Sequence, residues 1–257
     1  MAQPEPAIPE VAELVARLLQ GQRRVLGKRL LAAYLFGSAA TGTFESELSD
    51  VDTVAVLSTD LTVTNFSALA AMHDAMIKAS PVWNDRVEVV YLSARALGSF
   101  REGSAPAARI SPGEPFHRIE VDRRWVLDWY PVREWGLTLY GPPPATFISA
   151  IPQREFVDAV REELRRWPQR VAGLSTAGAY AYAVLTVCRG WRLFRTGEHM
   201  SKRDAAEWAA RELPQFADLV ENASAWRERS HAGALVDGSP TQDDTRRFVE
   251  AIARLVS

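Results

Sequence analysis

Three acidic residues and a Gly-Ser pair carry the chemical signal in this sequence. Asp50 and Asp52 stand one residue apart at the opening of a β-branched run (VDTVAVL, residues 51–57), and alternate residues of a strand share a face. Two carboxylates on one face hold hard divalent cations through oxygen. Phosphoryl and nucleotidyl transfer need such cations, which bind triphosphate oxygens, neutralise developing charge and orient the attacking oxygen. Gly37-Ser38 follows the apolar run 31–36 (LAAYLF). The glycine permits a tight turn off a strand, and Ser38 falls where a helix N-terminus offers backbone N–H groups to a phosphate. Glu88 lies within residues 86–92 (RVEVVYL) with apolar neighbours on both sides, and a charge so placed demands a partner. It reads either as an edge-strand glutamate facing water or as a third metal ligand, a general base for an acceptor hydroxyl, or both.

The elements that must position these residues follow from hydrophobic spacing. Val11, Leu14, Val15, Leu18 and Leu19 recur at helical intervals, predicting a helix from Pro9 to about Leu31. Runs 31–36, 51–57 and 86–92 read as buried strands, and Phe66, Leu69, Met72 and Met76 mark a helix over 61–79. The order is helix, strand, strand, helix, strand. Glycines and prolines through 98–115 predict a loop or irregular excursion, and apolar patterning resumes over 125–139. Gly141-Pro142-Pro143-Pro144 is the strongest break, which places a boundary between a domain spanning 1–145 and one spanning 146–257. Everything beyond it reads as helix: an amphipathic stretch over 155–170, an apolar one over 177–195 closed by Thr196-Gly197, one over 202–213 with Ser201 as N-cap, and two more over 214–232 and 241–257. The fold class is therefore α+β, with a small mixed sheet in front and a helical bundle behind, and the cleft between such halves is the usual place for a substrate.

Composition narrows the partners. With 257 residues, 47% hydrophobic and 24% charged, the chain has the makings of a folded core. No apolar run approaches the roughly 18 residues a membrane span needs, and MAQPEPAIPE lacks the features of a secretory signal, so no membrane partner and a cytoplasmic location are expected. The single cysteine, Cys188, cannot pair internally, and four scattered histidines give no zinc spacing. A net charge of −2 provides no global basic field for nucleic acid and suits a cationic small molecule better.

Gly37-Ser38, eleven residues, then Asp50-Val51-Asp52 followed by apolar residues resembles the signature of the nucleotidyltransferase superfamily that shares the DNA polymerase β-like core. In the second half, Cys188-Arg189-Gly190-Trp191, Arg195-Thr196-Gly197 and Ser201-Lys202-Arg203-Asp204-Ala205-Ala206-Glu207-Trp208-Ala209, closing with Leu213-Pro214, resemble the helical domain of the aminoglycoside 3″/9-adenylyltransferases, which modify streptomycin and spectinomycin. The resemblance implies a monomeric, two-metal enzyme that uses ATP and Mg²⁺ to adenylylate a cationic aminocyclitol. It places Asp50, Asp52 and Glu88 at the metals with Glu88 as catalytic base, Gly37, Ser38 and Ser49 at the triphosphate, and Arg189 and Lys202, thirteen residues apart, on the nucleotide phosphates.

Plainer readings stand beside these: a snorkelling arginine for Arg189, a surface lysine for Lys202. Trp167 falls near a family tryptophan that packs against the antibiotic, with core packing the alternative. Trp226 could stack on adenine or fill the bundle core. Where streptomycin-modifying members carry a tryptophan and an aspartate, this chain has Pro115 or Phe116, and Ala179, which favours spectinomycin. Glu155, Asp158 and Glu162 share a helix face, with Glu163 beside it, and could receive a polycation or pair with Arg161, Arg165 and Arg166. Two other functions remain open: a related transferase acting on RNA or protein, and a non-catalytic nucleotide-binding module.

Overall fold

The computed structural model describes residues 6–231 and 240–257. The chain divides into two compact units, Met1–Ile151 and Pro152–Ser257.

The first unit is built on one six-stranded mixed sheet. In chain order it runs α1 (Pro9–Leu26), β1 (Leu30–Phe36), α2 (Ser38–Thr41), β2 (Val51–Leu57), α3 (Val63–Ala79), β3 (Val87–Ser93), α4 (Ala94–Gly98), β4 (Ala105–Ser111), β5 (Glu114–Val121), α5 (Val126–Trp135) and β6 (Leu137–Tyr140). The sheet order is β5-β4-β3-β2-β1-β6, in which β2 and β3 are parallel and the other neighbours antiparallel. The first helix stops short of the expected Leu31. Gly27 caps it, its N–H bonded to the Arg23 carbonyl, and a single 3₁₀ turn leads into β1.

Both faces of the central strands are covered, which is why they read as unbroken apolar runs. Leu35, Val51, Ala55, Leu57, Val87, Val89 and Tyr91 pack with Leu14 and Leu18 of α1 and Leu69 of α3. On the opposite face Tyr34, Val54, Val56, Val90 and Leu92 are buried, with α5 against β1 and α4 against β2, β3 and β4. Each fully buried leucine or valine contributes roughly 1.5–3 kcal/mol, so this double cover is what fixes the strand positions.

The stretch expected to be irregular, 98–115, is instead largely a hairpin. β4 and β5 are joined by Pro112-Gly113 between paired Ser111 and Glu114, with Gly113 at φ 76°, as a Pro-Gly turn requires. The prolines that argued against strand sit where they cost little. Pro106 lies outside the β3 ladder, which begins at Ala107, so its missing N–H is not needed on that side.

The second unit is helical: α6 (Gln153–Val171), α7 (Ala177–Thr196), α8 (Lys202–Glu212), α9 (Ala217–His231) and α10 (Gln242–Leu255). Ala232, at the end of the helix expected over 214–232, lies outside the described residues. α7 packs against α6, α8, α9 and α10, burying Ala181, Val184, Leu185, Val187, Cys188 and Trp191. Ser201 caps α8 by accepting the Asp204 N–H at 3.0 Å. No described helix is long and apolar enough to cross a membrane.

One polar group in the first core sets a pH limit. His73 on α3 is fully buried, its Nε2 is 2.9 Å from the Tyr91 hydroxyl, and Gln22 donates to that hydroxyl at 3.1 Å. Burial pushes the imidazole down to about 4. The folded state therefore binds fewer protons than the unfolded one, whose histidine titrates near 6.5. Stability is fully present above pH 6.5 and declines as pH falls toward 4, by roughly 3 kcal/mol for the complete shift. Urea unfolding between pH 7 and 4 should show this decline, and His73→Gln should flatten it; an equal slope in the variant would exclude His73 as the source.

Candidate active site

The pairing of β2 with β3 sets the geometry. Asp52 stands in register with Glu88 on the parallel neighbour and with Phe36 on the antiparallel one. Register partners share a face, so the Asp52 and Glu88 carboxylates flank one another beside the end of β1. Gly37 follows directly at φ 69°. A Cβ there would lie 2.1 Å from Asp52 Oδ2, so only glycine lets the backbone pass the carboxylate. Ser38 opens α2, a single turn of four residues. The helix N-terminus expected at Ser38 is thus too short to carry a substantial dipole.

Asp50 precedes β2 and is set by a braced loop. Ser49 is buried; its hydroxyl accepts the Glu45 N–H at 3.0 Å and its own N–H reaches the Glu45 carbonyl at 2.8 Å. Arg86 donates to the Ser49 carbonyl at 2.8 and 3.2 Å, and also to that of Ser46. Its guanidinium lies 4.9 Å from the Trp83 ring centroid. Ser49 therefore holds the turn that carries Asp50, and Arg86, which sequence spacing did not single out, anchors it to the start of β3.

Glu88 is not at an edge. β3 is bonded to strands on both sides, and the Glu88 side chain is 17% exposed, with Arg109 Nη2 3.2 Å from Oε2. Burial pushes its carboxyl above the ordinary range; Arg109 opposes that shift, while Asp50 and Glu114 add to it. A carboxylate displaced upward in this way is suited to accepting a proton. Among the described residues no three Asp, Glu, His or Cys side chains converge as a ready-made cation site. Asp52 and its register partner Glu88 offer carboxylate oxygens, the donor chemistry that Mg²⁺ prefers.

The predicted residues of the second unit fall on α7, α8 and α6. Arg189 is half-buried beside His199, whose imidazole burial and the Arg189 charge push down to about 4. Lys202, first residue of α8, has its ammonium 5.1 Å from the ring centroid of Tyr182, a largely exposed aromatic. Trp167 is 6% exposed, with Tyr182 6.4 Å away and Arg170 5.5 Å over its ring, so it is a core side chain at the edge of this cluster. Trp226 packs on Gly178, where a Cβ would meet its ring at 2.6 Å. The α6 acids pair along their own helix: Asp158 with Arg161 at 3.0 Å, Glu162 with Arg166 at 3.7 Å and Glu163 with Arg170 at 2.5 Å. Phe116 stacks on Phe66 at 4.7 Å and meets Tyr91 at 5.7 Å beneath α3, whereas Pro115 is exposed. A groove of about 510 Å³ between α8 and α9 contains none of these residues.

Comparison with known proteins places this geometry. Residues 20–80 match the model of the nucleotidyltransferase domain, and 146–254 match that of the aminoglycoside adenylyltransferase C-terminal domain. An aminoglycoside (3″)(9) adenylyltransferase of Shigella flexneri is 27% identical over 234 residues, covering 84% of this chain and 85% of that protein. The chain thus joins a nucleotidyltransferase domain to an aminoglycoside adenylyltransferase C-terminal domain. It is accordingly a nucleotidyltransferase. A spectinomycin 9-adenylyltransferase of Staphylococcus aureus is 25% identical over 201 residues, 74% of this chain and 75% of its own. The crystal structure of a spectinomycin adenyltransferase from Enterococcus faecialis, with ATP and spectinomycin, shares the fold at a TM-score of 0.73, covering 94% of this chain and 98% of that one at 16% identity.

Gly37 offers a test of the adenylyltransferase geometry that leaves every charge in place. Gly37→Ala must either move Asp52 or strain the backbone by about 1–3 kcal/mol. Displacing a reacting group by an ångström costs about a hundredfold in rate. Turnover in Gly37→Ala should fall by that order, with the thermal midpoint lowered only modestly; turnover equal to wild type would show that the close approach to Asp52 has no catalytic consequence.

Proposed function

We propose that the chain transfers AMP from ATP to a hydroxyl of a cationic aminocyclitol antibiotic, with spectinomycin preferred over streptomycin, and releases pyrophosphate. The observation that carries this reading is the in-register pair of Asp52 and Glu88 beside Gly37, with Asp50 on the braced loop. Asp50, Asp52 and Glu88 would hold two Mg²⁺ ions, which when bound supply charge neutralisation at the triphosphate. The acceptor oxygen forms a bond to the α-phosphorus as the bond to pyrophosphate breaks, and Glu88 takes the hydroxyl proton. The Gly37-Ser38 backbone lies against the phosphates, with Ser49 keeping the loop in place. Arg189 and Lys202 add positive charge at the nucleotide.

Support for the acceptor class comes from relatives named for aminoglycosides and for spectinomycin. The preference between the two antibiotics rests on the resemblance that sets Ala179, and Pro115 or Phe116, where streptomycin-modifying members have an aspartate and a tryptophan.

Asp50→Asn and Asp52→Asn should each abolish transfer while circular dichroism stays native, because each removes cation-holding charge and no core volume. A rate within about tenfold of wild type in either variant would sink the two-metal reading. Arg189→Ala and Lys202→Ala should each weaken ATP binding by about 1–3 kcal/mol in calorimetry, the worth of a charge-assisted bond to phosphate. In a susceptible bacterium the gene should protect against spectinomycin; protection against streptomycin alone would reverse the stated preference.

A further inference from the structure

Arg109 lies in a stretch whose sequence gave no sign of regular structure, yet it is the charged partner of Glu88. It stands on β4 opposite Val90, and directly opposed residues of an antiparallel pair share a face. Val90 is two positions beyond Glu88 on β3, about 7 Å along the strand and on the same face. An arginine side chain spans that distance, and its Nη2 arrives 3.2 Å from Glu88 Oε2.

Among the described residues no other group bonds the guanidinium. Its Nε is buried without a hydrogen-bond partner, a cost the side chain accepts only because the carboxylate draws it in. The hairpin acid Glu114 is engaged by the Ser111 hydroxyl at 3.0 Å. His117, opposite Arg109 on β5, turns its Nδ1 to the Pro115 carbonyl at 2.7 Å.

We propose that Arg109 is the positioning residue for Glu88, clamping one carboxylate oxygen so that the other is presented to the acceptor hydroxyl. The proposal rests on Glu88 being the base that takes the hydroxyl proton. Arg109 thereby also competes with the cations for the same carboxylate, because its positive charge and its bond to Oε2 both oppose a metal ion there. Removing it should move two quantities in opposite directions, slower transfer and tighter metal binding, a pattern that general loosening of the hairpin would not produce.

The experiment uses the full chain with Arg109→Gln, Arg109→Lys and Glu88→Gln. Arg109→Gln should lower kcat on the order of tenfold or more, leave the KM for ATP nearly unchanged, and bind Mg²⁺ more tightly by several-fold in calorimetry with a non-hydrolysable ATP analogue present. Arg109→Lys retains the charge and should recover part of kcat, though not all, since an ammonium cannot reproduce the directed guanidinium contact. A near wild-type kcat in Arg109→Gln alongside an inactive Glu88→Gln would overturn the proposal and leave the base assignment standing. Lost transfer with unchanged Mg²⁺ affinity would overturn it as well. Wild-type turnover in Glu88→Gln would remove the base assignment itself, and the positioning role with it.

Discussion

The parallel register of β2 and β3 is the constraint on which the first unit depends. Asp52 and Glu88 are 36 residues apart in the chain, and the ladder sets them side by side. Two like charges in a partly desolvated sheet repel and lose hydration, so the arrangement persists only because the rest of the strands bury apolar surface on both faces. Val51, Thr53 and Val89 toward α1 and α3, and Val54, Val56 and Val90 toward the other side, are all buried. A register slip of one residue would turn each of these to the wrong face. The core thus holds the carboxylates where electrostatics alone would not.

The residues around the pair distribute that cost. Arg109 offsets part of the burial of Glu88, while Arg86 and Ser49 hold the approach to Asp50 through main-chain groups. Gly37 contributes by lacking a side chain. In the helical unit the chemistry is differently supported: Ser201 caps α8 and Asp204 balances the first turn, against which Lys202 would otherwise be placed unfavourably. Tyr182 keeps the Lys202 ammonium over its ring rather than free to range through solvent.

Much of the first unit was legible because its signals are local. Three apolar runs, a helix with Leu14 and Leu18 on one stripe, and the Gly37-Ser38 and Asp50-Val51-Asp52 pair each occupy a short window. The β4–β5 hairpin was not, because Pro106, Pro112 and Pro115 carry the usual marks of a loop. Their tolerance depends on which ladder each residue faces, and that is a property of neighbours distant in the chain. Arg109 was missed for the same reason: an arginine among alanines and prolines has no spacing to distinguish it until the strand beside it is known. Trp167, read as either antibiotic contact or core, is 6% exposed, a burial that its amphipathic helix pattern alone could not fix.

What the sequence by itself determined was the residue chemistry and its local frame: two carboxylates separated by one residue where a strand opens, a glycine able to turn beside them, and an isolated glutamate that had to find a partner. Only the tertiary structure decided who that partner was and which carboxylates stand together. It turned the edge-strand alternative for Glu88 into a central, half-desolvated position, and it assigned Ser49 to the turn that carries Asp50. It also separated Phe116, packed under α3, from exposed Pro115. The physical reason is that periodicity encodes which face a side chain takes, whereas register and strand order are set by burial summed over the whole sheet, which no single window contains.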